Sequence, residues 1–209
     1  MQQITKICFL FCCFLCLESL AQHTQHQTIE VENIEKIALY LDEVFAVEIV
    51  TGNFSSIQLI SEAEGEYAEE LQLEVKQIQE TLYIHSLFDA ILTSGFDKLS
   101  SHKVFAFQLK ILIPETLQVY VESNIAEVNV HGKLSYFEAD LKNGNCMMDN
   151  HQGDVKINTY RGNISIKTKD ASIDAETRRG QLQLDQASLK RYGLSLKSIE
   201  GNIQVIQLN

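Results

Sequence analysis

The acidic residues of the second half of the chain are the ones that could hydrolyse a substrate or hold calcium. Hydrolysis or elimination needs two carboxylates, or a carboxylate and a base, that converge in a cleft. The acids of this region instead alternate with lysines and arginines and fall on both faces of the predicted strands: Asp140, Asp149, Asp174, Glu176 and Asp185. Calcium-binding nonapeptide repeats need Gly-Gly-x-Gly-x-Asp at each turn, and only Asp154 fits that requirement. We therefore predict no catalytic centre and no metal site.

Histidine, cysteine and aromatic residues offer no alternative centre. The repeats hold no His-Glu pair at metal-ligand spacing, and the histidines after the N-terminal segment are scattered: His85, His102, His131 and His151. Cys146 occupies a position predicted to face inward, where a free thiol packs as a small hydrophobic group. The chain has no tryptophan, and we interpret Tyr160 and Tyr192 as corner packing residues. The sequence thus predicts a protein that is not an enzyme and uses no cofactor.

Turn residues at a fixed step organise the elements that must position these side chains. We use "marker" for the turn residue that recurs every nine residues. The markers are Gly144, Gly153, Gly162, Ala171 in place of a glycine, Gly180 and, after a three-residue insertion near Leu189, Gly201. Apolar residues lie two and four places after each marker, as in Val155 and Ile157, and the residue between them is polar in nearly every repeat. A fixed period of this kind predicts stacked β-strands with one buried face, in which the five glycines are structural turn positions.

Two topologies fit this spacing: an antiparallel sandwich or barrel, and a β-solenoid in which the chain coils in one direction. Alternate corners are alike and lie 18 residues apart: Asn143-Gly144-Asn145, Arg161-Gly162-Asn163 and Arg179-Gly180-Gln181. Antiparallel hairpins favour tighter Asn-Gly or Asp-Gly loops. We therefore predict an all-β protein, a β-solenoid with two short strands per coil of about 18 residues. Opposite charges would stack in that solenoid at Asp149, Lys167 and Asp185.

The chain divides into four predicted segments. Residues 1–21 have the layout of a secretory signal peptide cut after Ala21, because Lys6 precedes an apolar run at 7–17 that is too short for a comfortable membrane span. Residues 22–28 are polar and are predicted to be a disordered leader. Residues 29–113 form an N-terminal β region with an irregular loop at 89–103, and residues 114–209 form the repeat region.

Charge and cysteine content restrict the partners and the environment. Of the net charge of −11, residues 22–139 contribute 19 acidic and 6 basic side chains, and residues 140–209 contribute 8 and 10. An acidic front half disfavours nucleic acid and anionic membrane surfaces, which are both polyanions. After cleavage at Ala21 only Cys146 remains, so no internal disulfide is expected. No other segment is apolar enough to span a membrane.

A family resemblance adds to this interpretation. The stretch Asp97-Lys98-Leu99-Ser100-Ser101-His102-Lys103-Val104, then Leu112-Ile113-Pro114-Glu115 before the Gly-Asn repeats, resembles the bacterial "putative adhesin" families. These include proteins related to autotransporter adhesin head domains. The resemblance covers residues 29–209 and implies a β-solenoid that is exported to the bacterial envelope. It implies no catalytic residues.

The function expected from the sequence is a non-enzymatic binding or structural role in the envelope, adhesin-like in kind. A long parallel ladder offers a rigid binding face, and the expected contact surface is one such face together with the loop at Asp89–His102. The alternatives are a periplasmic regulatory or stress protein that binds another protein and, third, a carbohydrate-active β-helix enzyme. The partner is expected to be an envelope protein or a glycan. The protein itself is expected in the periplasm, on the outer cell surface or in the medium.

Overall fold

The computed structural model of the protein describes residues 22–65, 68, 71–88, 105–185 and 190–208. The predicted signal peptide at 1–21 and the predicted irregular loop at 89–103 lie outside these residues. The described residues form seventeen strands and no α-helix, and among them no helix is long and apolar enough to cross a bilayer. Buried and exposed residues alternate along strands such as Asp154–Arg161, because successive side chains of a strand point to opposite faces. The prediction of an all-β protein is confirmed.

Most of the strands are short, and Pro114, which cannot donate a backbone hydrogen bond, ends the seventh. In chain order the strands are β1 (Gln22–Glu30), β2 (Lys36–Tyr40), β3 (Ala46–Gly52), β4 (Ser56–Gly65), β5 (Leu71–Ile78), β6 (Thr81–Phe88), β7 (Phe105–Pro114), β8 (Gln118–Ser123), β9 (Glu127–His131), β10 (Tyr136–Asn143), β11 (Cys146–His151), β12 (Asp154–Arg161), β13 (Ile164–Thr168), β14 (Ala171–Thr177), β15 (Leu182–Leu184), β16 (Tyr192–Glu200) and β17 (Ile203–Gln207).

These strands form two mixed sheets. The nine-stranded sheet has the order β1-β4-β7-β3-β9-β11-β13-β17-β15, and the eight-stranded sheet has the order β14-β16-β12-β10-β8-β2-β6-β5. From β8 onwards, consecutive strands alternate between the two sheets. Both sheets contribute side chains to one hydrophobic cluster, in which Val155 of β12 and Ile164 of β13 are fully buried. That cluster is the core of the protein.

Every strand pair between β8 and β17 is parallel. Phe137 lies opposite Val155 and Cys146 lies opposite Ile164, so the strands of these two pairs are offset by 18 residues. The nine-residue step therefore produces strands that run in one direction within each sheet, and it does not produce hairpins. Antiparallel pairs occur in the N-terminal region, where β4 lies between β1 and β7 and β5 lies beside β6.

The order of the strands in space differs from their order in the chain. We use "rung" for a strand of the eight-stranded sheet together with the next strand of the nine-stranded sheet, such as β12 and β13. The rung β16/β17 lies between β12/β13 and β14/β15, and the rung β2/β3 lies between β6/β7 and β8/β9. The inserted C-terminal rung is the more apolar one. Its four inward residues are fully buried: Leu194, Leu196, Ile203 and Val205. On the outer rung β14/β15, Leu182 remains 47% exposed.

This insertion corrects the predicted charge ladder. Lys167 pairs with Asp149 at 3.1 Å between Nζ and Oδ1, as the spacing predicts. Asp185 does not continue the ladder, because the strand next to Lys167 is β17, with Ile206 opposite it. Asp185 follows β15 on the far side of β17.

The predicted disordered leader at residues 22–28 is also wrong in the structure. These residues belong to β1, which pairs in antiparallel fashion with β4 from Gln22 opposite Glu64 to Glu30 opposite Ser56. Most side chains of β1 are exposed. A backbone ladder needs no apolar side chains to form, because its hydrogen bonds use the N–H and C=O groups that every residue except proline carries. Polar composition therefore did not prevent this segment from becoming an edge strand.

Candidate functional site

The outer face of the eight-stranded sheet carries a row of polar side chains that crosses five neighbouring strands. Each member alternates with buried residues of its strand and so faces outward. The strand registers place the members opposite one another: Tyr40, Glu122, Asp140, Asn158 and Lys197. Since neighbouring strands are roughly 4.8 Å apart, this outer row extends for about 19 Å across the sheet, perpendicular to the strands.

Hydrogen bonds join the middle of the outer row. The phenolic oxygen of Tyr120 lies 2.8 Å from Glu122 Oε2 and 3.3 Å from Asp140 Oδ2, and its one proton is donated to these carboxylates. Asn158 Nδ2 donates to Asp140 Oδ1 at 2.8 Å. Burial, the hydrogen bond to Glu122 and the charge of Asp140 raise the pKa of Tyr120 well above its usual value. Tyr120 therefore stays a hydrogen-bond donor at neutral pH and holds both carboxylates in place.

All members of the outer row except Tyr40 form the floor of a groove of about 730 Å³. One wall consists of the next outward residues along the same strands: Asn124, Lys142, Tyr160 and Ile199. Asp42 lies at one end of the groove and accepts a hydrogen bond of 2.7 Å from Asn124 Nδ2. Tyr160 is 50% exposed, and the guanidinium carbon of Arg161 lies 5.6 Å from the centre of its ring. The prediction that Tyr160 is a corner packing residue is therefore wrong, because its ring lines a surface groove.

An aromatic patch continues from the groove towards β6. The rings of Tyr40 and His85 are stacked, with centres 4.8 Å apart and planes inclined by 7°. The Tyr120 ring meets Tyr40 edge to face at 5.8 Å between centres. Lys36 Nζ lies 5.5 Å from the centre of the Tyr120 ring. Contacts of this kind fix the orientation of Tyr120, whose hydroxyl reaches the groove floor.

The residues beside the groove form an ordinary surface ion pair. Lys156 Nζ donates to Glu138 Oε1 at 2.7 Å, and Tyr136 donates to Glu138 Oε2 at 3.2 Å. The hydrogen bond from Lys156 holds the pKa of Glu138 below its usual range. Because these groups satisfy one another, we assign no chemistry to them.

The predicted turn glycines lie where chain segments approach closely. A Cβ on Gly162 would lie 1.9 Å from the carbonyl oxygen of Gly144, and one on Gly201 would lie 1.9 Å from that of Gly162. Gly180 stands in the same relation to Gly201. Gly153 lies at the other corner with φ at +149°, and a Cβ there would lie 1.9 Å from the Leu134 carbonyl oxygen. All five positions connect strands and lie outside the groove.

The amide residues after these glycines form a ladder that fixes the corner. Asn145 Oδ1 accepts the backbone N–H of Asn163 at 2.7 Å, and Asn163 Oδ1 accepts that of Asn202 at 2.8 Å. Asn202 Oδ1 accepts that of Gln181 at 2.9 Å. The Gly-amide corner is thus explained by structure alone, since each side chain satisfies a backbone group of the next rung.

The other candidate residues do not form a centre. His151 is fully buried, its Nδ1 lies 3.3 Å from the Gly132 carbonyl oxygen, and its Nε2 has no hydrogen-bond partner in the described part of the chain. Burial raises the pKa of Cys146 to about 12. His131 is exposed on the other sheet, and His102 lies outside the described residues. Tyr192 is partly buried and packs against the core.

The candidate carboxylates are also separated. Asp149 belongs to β11 of the nine-stranded sheet, whereas Asp140 and Asp174 belong to β10 and β14 of the eight-stranded sheet. Asp154 Oδ1 accepts the backbone N–H of Gly193 at 2.8 Å. Among the described residues, no three His, Cys, Asp or Glu side chains are placed to hold a metal ion.

The sequence contained a signal for the outer row that our prediction did not use. The residues five places after alternate markers include Asp149 and Lys167, which form the predicted charge ladder. The same step on the other set of corners gives Glu122, Asp140, Asn158 and Lys197. Tyr120 was missed because it lies between two buried valines and has no distinctive spacing.

Comparisons with known proteins place the fold. No family model matches the chain, and no curated protein sequence matches it. A solved structure from Clostridium sporogenes, described as a "putative cell adhesion protein", is similar with a TM-score of 0.63 and 14% identity over 90% of this chain and 100% of the other. A "putative adhesin" from Bacteroides fragilis has a TM-score of 0.38 and 14% identity over 88% and 97% of the two chains.

The first of these likenesses shows a shared fold, because it covers nearly all of both chains. The second has too low a TM-score to support an argument. The class that the fold defines is therefore an all-β protein of two mixed sheets, and this fold is shared with the structure described as a "putative cell adhesion protein". The relation to autotransporter head domains stays a prediction.

Proposed function

We propose that the protein is an exported, adhesin-like binding protein of the bacterial envelope, without enzymatic activity, whose two sheets coil as a β-solenoid. The observation that carries this proposal is the groove over Glu122, Asp140 and Asn158. Its floor lies on interior strands of a parallel ladder, which hold the side chains at fixed spacing. A preformed groove with a few placed polar groups is typical of a ligand-binding site.

Several features support binding rather than catalysis. Glu122 and Asp140 share the hydroxyl of Tyr120, and Asp140 also accepts from Asn158. A general acid or base must be able to exchange a proton with a substrate, whereas these carboxylates are held by neighbouring donors and keep lone pairs that can accept hydrogen bonds from a ligand. The fold shared with a structure described as a "putative cell adhesion protein" is in keeping with the proposal.

Binding is tested with purified protein, the residues after Ala21, and two matched variants. Tyr160→Ala removes a groove side chain and Met147→Ala removes a side chain of the opposite sheet, and both side chains are 50% exposed. We expect the native protein and Met147→Ala to be retained on immobilised envelope material, and Tyr160→Ala to be retained less. Equal retention of both variants would contradict a binding role for the groove.

Export is tested separately in whole cells. Protease shaving removes a protein displayed on the outer surface, and osmotic shock releases a periplasmic one. We expect the protein in one of these fractions or in the medium, in a form that begins after Ala21. Recovery in the cytoplasm with residues 1–21 still attached would exclude the envelope role.

A further inference from the structure

We propose that the groove on the eight-stranded sheet binds a linear, uncharged oligosaccharide. This inference rests on the proposed binding function and adds the chemical class of the ligand. It follows from three properties of the groove: the side chains on its floor and wall, its direction across the strands, and its charge.

The polar groups of the groove suit hydroxyl groups. Asp140 supplies acceptor oxygens and Asn158 supplies an amide that can both donate and accept, on neighbouring strands. A sugar hydroxyl both donates and accepts, so two adjacent hydroxyls can bind a carboxylate and an amide together. Tyr160 contributes a half-exposed aromatic ring to the same groove, and aromatic rings pack against the C–H faces of sugars. Aromatic rings with a few fixed polar groups are the usual composition of a small-ligand site.

The direction of the groove favours a chain of sugars over a peptide. The groove follows the outer row across four strands, for about 14 Å, so its ligand must be extended. An extended peptide commonly binds by adding a strand to a sheet edge. The strands beneath the floor are interior ones, with both neighbours paired: β8, β10, β12 and β16. A peptide would therefore leave its own N–H and C=O groups without backbone partners, whereas a sugar chain needs only side-chain partners.

The charge of the groove disfavours charged ligands. Asp42, Glu122 and Asp140 carry three negative charges, and Lys142 and Lys197 carry two positive ones, which gives −1 overall. The whole chain carries −11, so polyanions are repelled at long range. The two lysines flank the carboxylates and reduce their attraction for cations. An uncharged ligand meets neither penalty.

The test uses immobilised hexasaccharides of β-linked glucose, mannose, xylose and N-acetylglucosamine, with oligogalacturonate as the anionic comparison. The proteins are the native chain after Ala21, Tyr160→Ala, Asp140→Ala and the control Met147→Ala. We expect binding to at least one neutral hexasaccharide. Each groove variant should weaken that Kd by about tenfold or more, since a lost charged hydrogen bond or a lost aromatic contact has roughly this effect. Met147→Ala should stay within about twofold.

The inference is overturned if no neutral hexasaccharide binds, if only oligogalacturonate binds, or if both groove variants bind like the native protein. Unfolding midpoints show that each variant is folded, and Tyr160→Ala, which removes an exposed side chain, remains informative if Asp140→Ala is unstable. Retention on envelope material separates the two proposals. If that retention depends on Tyr160 but no hexasaccharide binds, the ligand class is wrong and the binding function stands; if neither depends on Tyr160, both fail.

Discussion

The imidazole of His151 is a neutral group in a fully buried position. Burial lowers its pKa to about 4, and contacts with the backbone of Gly132 and Gly153 oppose that shift only in part. The unfolded chain takes up a proton near the ordinary value of about 6.5. Stability from this group is therefore fully present above pH 6.5 and is lost as the pH falls through that value towards about 4.

We accordingly predict that His151→Gln changes the pH dependence of folding. Native stability should fall relative to the variant by about 2–3 kcal/mol between pH 7.5 and pH 4.5, because the variant cannot take up this proton on unfolding. Urea unfolding of both proteins at the two pH values measures the difference. Parallel losses in the two proteins would show that His151 does not contribute.

The close approach of chain segments at the turn glycines supplies a second prediction at the scale of single residues. Gly162→Ala places a Cβ 1.9 Å from a backbone oxygen, whereas Gly193→Ala places one 3.7 Å from a side-chain oxygen of Asp154, an ordinary contact. We expect Gly162→Ala to lower the free energy of unfolding by about 3 kcal/mol or more, as severe overpacking does, and Gly193→Ala to change it little. Denaturant midpoints compare them, and equal midpoints would be inconsistent with this corner geometry.

At the scale of the elements, the position of the rung β16/β17 determines which leucines contribute most to the free energy of unfolding. Leu196 of β16 is 0% exposed and Leu182 of β15 is 47% exposed. We predict that Leu196→Ala costs about 2–5 kcal/mol and Leu182→Ala less than about 1 kcal/mol. Guanidinium unfolding measures both variants. A larger effect at Leu182 would indicate that the rungs stack in chain order.

The sequence predicted the positions of these strands but not the order in which the rungs lie beside one another. The nine-residue step predicted the strands and the inward residues such as Val155 and Ile164, because burial imposes a period of two on each strand. It did not predict which rung lies beside which, since β14 and β16 carry the same alternation and either can pair with β12. The groove was predictable only as a row, from the markers at Gly153 and its equivalents. Its wall at Tyr160 depends on side-chain positions that spacing does not specify.

For the molecule as a whole, the one cysteine outside the predicted signal peptide reports on cooperative unfolding. Cys146 is fully buried in the core shared by both sheets, and burial raises the pKa of its thiol to about 12. We predict that iodoacetamide does not modify the native protein at pH 8 and that modification follows the global unfolding curve in urea, since only the thiolate of an exposed cysteine reacts. Modification well below the urea midpoint would indicate that the rungs around β11 open independently.

The place of β16 and β17 has a consequence for synthesis of the chain. A ribosome makes β14 before β16, so for a time the position next to β12 is vacant and β14 has the alternation needed to occupy it. The finished molecule needs that position for a later strand. Nascent β14 is therefore made before the strand that separates it from β12, and a chain that ended before residue 192 would leave the position beside β12 open to β14.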